Sequence, residues 1–196
     1  MPRFSETERQ QIQKKLLTEG ERLFVAHGLK KVTIDELVNA VPIAKASFYK
    51  FYEGKEYLYL DIVQNIQAMI FEKLEELLSS NVGLSNKERV KQVFAAMFDL
   101  MRQYPILSLM GTSTAEIISR KVSEERMAEF YKQNMDAVSV MKQHGVSFIF
   151  DVSIVSSVFQ ALYQAWMHLP DNDPDKKVFA ANILLDGVIE QVVAVD

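Results

Sequence analysis

The chain has 196 residues, 48% of them hydrophobic and 24% charged, a balance that suits a packed globular protein and excludes a disordered one. It has no cysteine, which excludes disulfides, thiolate chemistry and Cys-based zinc sites. The net charge of −4 divides unevenly: residues 1–55 carry 10 Lys/Arg against 7 Asp/Glu, and residues 56–196 carry 12 against 19, a basic head of +3 on an acidic body of −7.

The first residues, Met1 to Glu6, contain no apolar run of signal-peptide type, so a cytoplasmic location is expected. Ser5-x-x-Glu8 reads as a capping box, and Ile12, Leu16, Leu23 and Phe24 continue a helix that Gly28 should stop. Thr33-Ile34-Asp35-Glu36 is a second capping box, with Val32 and Leu37 placed as a hydrophobic staple. Pro42 ends that short helix near Val41. A third helix is expected over 44–51, and a fourth from Lys55 to about Leu78 with Gly54 as its cap. Ser85-x-x-Glu88 opens a fifth that stops at Tyr104-Pro105, and short helical pieces are expected over 106–110 and 114–121. Ser123 should cap one helix reaching His144-Gly145, and Asp151 one reaching Leu169-Pro170. Asp173-Pro174 should open a last helix running to about Val195. The segment 148–169 holds a single formal charge, Asp151, but its serines and glutamines suit burial in protein rather than lipid. The expected fold is all-α, about nine helices, with a three-helix head over 1–55 and a helical body over 56–196.

The two short helices and their tight turn have the form of a helix-turn-helix, whose second helix enters the major groove. Here that helix presents Lys45, Ser47, Tyr49 and Lys50 around one apolar Phe48. Two ammonium groups and two hydroxyls on so short a helix suit phosphate and base-edge contacts. A solvated surface helix would share the pattern.

Residues 19–60 resemble the head of the tetracycline-repressor (TetR) family. Leu23-Phe24, Gly28, Thr33 and Leu37 meet its first spacing, and Phe48-Tyr49-Lys50-Phe51-Tyr52-Glu53-Gly54-Lys55 meets the ending of its recognition helix. The resemblance implies that Thr33, Tyr49 and Lys55 hold phosphates. It also implies that Lys45 and Ser47 read bases or flanking phosphates, and that Lys50 adds a backbone contact. Three positions depart from the family: Pro42 in the turn, and Ala44 and Ala46 in the recognition helix. Ala44 cannot cap, at about 1 kcal/mol of local helix stability. Ala46 offers a methyl that can meet a thymine methyl.

One recognition helix reads few base pairs, so such proteins work as two-fold dimers on half-sites ~34–36 Å apart or a multiple of it. The last two helices are apolar on more than one face, which requires burial on both sides. Val155, Phe159, Leu162, Trp166, Leu185, Val188 and Val192 are the expected interface, and the resemblance implies the same four-helix contact. Methionine adapts to irregular cavities, so the Met-rich middle helices suit a small apolar or aromatic effector. Met97, Met101, Tyr104, Met110, Phe130, Asn134, Gln160 and Gln164 are the candidate contacts. No cofactor or metal is expected, because His27, His144 and His168 lie far apart. No nucleophile–base pair or phosphate loop supports an enzyme. The expected function is a DNA-binding regulator, a repressor released from a palindromic operator by its ligand. The alternative is a protein of the same fold acting through a protein partner without touching DNA.

Overall fold

A computed structural model of the chain describes residues 4–133, 136–170 and 172–195. The expected ligand contact Asn134 lies outside them, as do Met135 and the first three residues. Among the described residues the fold is all-α: α1 (Glu6–Lys31), α2 (Ile34–Ala40), α3 (Lys45–Phe48), α4 (Lys55–Ser80), α5 (Asn86–Gln103), a 3-10 helix (Pro105–Leu109), α6 (Thr112–Lys121), α7 (Glu124–Gln133), α8 (Ala137–Gln143), α9 (Val152–His168) and α10 (Pro174–Val192). The described residues pack as two compact units, one of residues 4–68 and 103–133, the other of residues 69–102, 136–170 and 172–195.

The first unit is organised by α1. Its capping box forms, with Ser5 and Glu8 satisfying each other's backbone N–H groups. Gly28 has φ 78° and ψ 154°, a region open only to glycine, and it breaks the helix before a last turn over 29–31. Gly20 has a second use: a Cβ there would lie 3.0 Å from a Leu58 methyl and 3.1 Å from one of Ile62, so its bare backbone lets α4 approach closely. Phe24 meets Tyr59 edge-on, with ring centroids 5.3 Å apart, and both are fully buried. The Tyr59 hydroxyl donates to the Ile106 carbonyl at 3.3 Å, and burial pushes its pKa well above the usual range. Arg126 of α7 donates to Asp61 of α4 at 2.7 Å and also to Gln64.

The second unit is built on stacked aromatics. Phe98 of α5 lies against Trp166 of α9 with centroids 4.3 Å apart and nearly parallel planes, and Phe94 against Phe159 at 4.6 Å. Buried Arg89 donates to the Leu78 carbonyl at 3.1 Å and to that of His144 at 2.7 Å, joining the ends of α4 and α8. Lys87 pairs with Glu190 and Lys91 with Asp186, fastening α5 to α10.

Three expected boundaries change. The single helix expected over 123–144 is two, because Asp136 accepts from the N–H groups of Val138 and Ser139 and starts α8 afresh. The recognition helix is α3 over four residues, closing in turns by residue 51. The last helix ends at Val192 rather than near Val195, because Val193 pairs with Phe148 in an antiparallel bridge. Ile149 donates to the Val192 carbonyl at 2.9 Å and Ala194 to that of Ser147 at 3.0 Å.

Candidate nucleic-acid interface

The head's geometry begins at Thr33. Its hydroxyl accepts from the Glu36 N–H at 3.2 Å, while its own N–H and hydroxyl donate to the Glu36 carboxylate at 2.7 and 2.8 Å. These bonds, the backbone one foremost, hold the Glu36 carboxyl below its ordinary pKa. Val32 and Leu37, on either side, are both fully buried. The α2 helix therefore starts at a fixed place, and Thr33 stays exposed at its positive end.

The turn Val41–Ile43 is anchored by the Ile43 N–H, which donates to the Val38 carbonyl at 3.1 Å, while buried Val41 pins its start. Ala44 occupies the N-cap of α3 and makes no side-chain cap, as its methyl requires. One residue holds α3 down: Phe48 is 0% exposed and meets the ring of Tyr52 at 6.0 Å. The remaining side chains point outward. Ala44, Lys45, Ala46 and Lys50 are exposed, Ser47 is half-buried, and Tyr49 is 52% exposed with its ring braced edge-on against Phe48 at 5.7 Å. Six of the eight expected DNA contacts thus share this one surface.

Two of the expected cations already have partners. Lys45 donates to Asp35 of α2 at 2.9 Å, and this hydrogen bond raises the lysine's pKa above its ordinary value. Asp35 was legible in the sequence only as part of a capping box; nothing in the spacing of residues 35 and 45 announces the pair. Lys55 donates to the carbonyls of Lys30 and Val32, at the end of α1, at 3.2 and 2.5 Å. Beside it a cleft of about 380 Å³ is lined by Glu53 and Glu56 as well as Lys55 and Lys121, a mixed charge.

The expected effector contacts are divided between the units. Met97, Met101, Gln160 and Gln164 belong to the second and Tyr104, Met110 and Phe130 to the first. Gln160 and Gln164 are exposed, Phe130 is buried, and the other four are half-buried. Of the expected dimer residues, Val155, Phe159, Leu162, Trp166, Leu185 and Val192 are buried within their own chain, and Val188 is half-buried. The apolar side chains that α9 and α10 leave uncovered are others: Ile154, Phe179, Ile183 and Leu184. Among the described residues no group of His, Asp and Glu is placed to hold a metal, and no helix is long and apolar enough to cross a membrane.

Residues 16–62 match the family described as bacterial regulatory proteins, tetR family. The chain is 28% identical over 115 residues to the HTH-type transcriptional regulator YerO of Bacillus subtilis (strain 168), covering 59% of this chain and 39% of that protein. It is 24% identical over 130 residues to the HTH-type transcriptional repressor NemR of Escherichia coli (strain K12), covering 65% and 64%. The chain thus spans less than two thirds of the length of either relative. Its fold is that of the transcriptional regulator FadR from Bacillus subtilis, solved in complex with stearoyl-CoA, with a TM-score of 0.67, 13% identity and coverage of 90% and 97%.

Proposed function

We propose that this chain, a transcriptional regulator of the tetR family, is a repressor that grips a palindromic operator as a dimer and releases it when an effector binds. Residues 1–55 read DNA, and residues 56–196 dimerise and sense. The observation that carries this reading is α3: a four-residue helix anchored by buried Phe48, with Lys45 and Tyr49 exposed, Ser47 half-buried, and Lys45 bonded to Asp35 in the first turn of α2. Such a surface suits a major groove, with Tyr49 and Thr33 on phosphates and Ala44 to Ser47 at base edges. The work takes place where the DNA lies, in the cytoplasm.

Dimerisation is assigned to α9 and α10, where Phe179 and Ile183 stand 69% and 58% exposed on a helix whose other side is buried. The effector is assigned to the apolar and aromatic class. Half-buried Met97 and Met101 share α5 with Phe94 and Phe98, whose rings meet edge-on, and such soft apolar side chains are of the right chemistry. FadR, of like fold, takes an acyl-CoA. A coupling of ~1–3 kcal/mol between effector and operator changes affinity ~5–150-fold.

Selection of bound duplexes from a random library tests the reading, with Tyr49→Phe and Ser47→Ala as controls. A palindrome enriched by the parent and weakened in both controls is the expected result. No enrichment at low salt would overturn it in favour of a protein partner, the reading that the engaged Lys45 and Lys55 would then favour.

A further inference from the structure

The beginning of α1 and the end of the recognition segment share an aromatic pair. The rings of Phe4 and Phe51 have centroids 6.3 Å apart. Each ring carries a cation. The Lys50 ammonium lies 5.6 Å from the centre of the Phe4 ring, and the Arg9 guanidinium 5.5 Å from that of Phe51. Contacts within about 6 Å are held by the negative face of the ring. The two phenylalanines are half-buried, whereas Arg9 and Lys50 are exposed.

Long basic side chains on a surface ordinarily sweep many rotamers. Here two are steered by rings rather than by carboxylates, and among the described residues neither forms an ion pair with an acid. The nearest acid on α1, Glu8, is turned back to accept from the N–H and hydroxyl of Ser5 at 2.8 and 2.9 Å. A ring face orients a cation without neutralising it, so the full positive charge stays available to a phosphate. Lys50 also follows Tyr49 directly, which places this pair of charges at the edge of the surface formed by residues 44–49.

We propose that Arg9 and Lys50, steered by the Phe4–Phe51 pair, form a second phosphate clamp that grips the operator backbone beside the bases met by α3. Arg9 and Phe4 are thereby new members of the interface, and the proposal rests on the reading of the head as DNA-binding.

The test is the salt dependence of binding by the full-length protein to a selected operator and to a scrambled duplex of equal length. Arg9→Ala should weaken both duplexes by the same factor. It should also flatten the plot of log affinity against log salt by ~0.9 for each phosphate that is no longer neutralised. Phe4→Ala removes no charge, yet should flatten the plot in the same direction, and Arg9→Lys should restore most of the slope. Circular dichroism checks the Phe4 variant; if its helix content has fallen, exposed Arg9 decides the question alone. An Arg9→Ala protein with parental slope and affinity, while Tyr49→Phe is weakened, refutes the clamp and leaves the DNA reading standing. A parent that binds neither duplex at low salt refutes both.

Discussion

The Lys55 ammonium donates to the Val32 carbonyl, 23 residues earlier in the chain, so the first residue of α4 closes the end of α1. A lysine at this place is thus a fastener of the head before any DNA arrives. Lys55→Ala should lower stability by about 1.5–3 kcal/mol, the range for a hydrogen bond to a charged group. Urea unfolding measures it. A variant as stable as the parent would show that the amine is free for a phosphate instead.

Asp35 restrains Lys45, the first residue of α3. Its bond to Lys45 is exposed on both sides, so Asp35→Asn should leave stability nearly unchanged. Freeing the lysine and removing the carboxylate should raise affinity for random duplex about 3–10-fold at low salt and lower the ratio of operator to random binding. Fluorescence anisotropy on both duplexes checks this, and an unchanged ratio would remove Asp35 from the interface.

Ile183 tests the dimer. It stands exposed on α10 of the single chain, so Ile183→Glu should leave helix content almost untouched. At the centre of an apolar interface the same change should weaken association by about 2 kcal/mol or more. Sedimentation should then show monomer where the parent is dimeric, and a variant that stays dimeric would place the interface elsewhere.

The capping boxes give the fold an acid limit. Glu36 accepts two bonds from Thr33, Glu8 two from Ser5 and Glu88 two from Ser85, and each carboxyl titrates below its ordinary value. A folded pKa below the unfolded one contributes stability present above the unfolded value, near ~4.3, and lost as pH falls through the folded value. Melting temperature should therefore fall as pH drops through and below the unfolded carboxylate value. Glu36→Gln should melt below the parent at neutral pH and converge with it in acid; parallel curves would show that the carboxylate is irrelevant.

Local chemistry made much of this molecule legible. Ser5, Thr33 and Ser85 with their glutamates start α1, α2 and α5, and Pro105 and Pro170 follow the ends of α5 and α9, each by a bond or clash within a few residues. The head's outward residues were legible for the same reason, since one buried Phe48 sets the facing of a single turn. What escaped reading depends on residues far apart. Asp136 carries its own cap signal, inside a span read as one helix from Ser123 to His144. The Lys55 and Lys45 attachments and the Phe148–Val193 bridge join distant positions. On α9 and α10, periodicity revealed two apolar faces but not which one the chain keeps for itself.

The anchoring of α3 bears on how such a regulator changes its target over generations. Ala44, Lys45 and Ala46 touch solvent, and nothing in the head's interior leans on them. On the proposed reading, mutations there alter what the groove meets while Phe48, Val41 and the Thr33–Glu36 box keep the scaffold intact. Most substitutions that drift a protein toward new behaviour erode its stability; on the proposed reading, the positions that meet the operator can change at little structural risk. On that reading, a duplicated copy of the gene reaches a new operator through changes at these three codons.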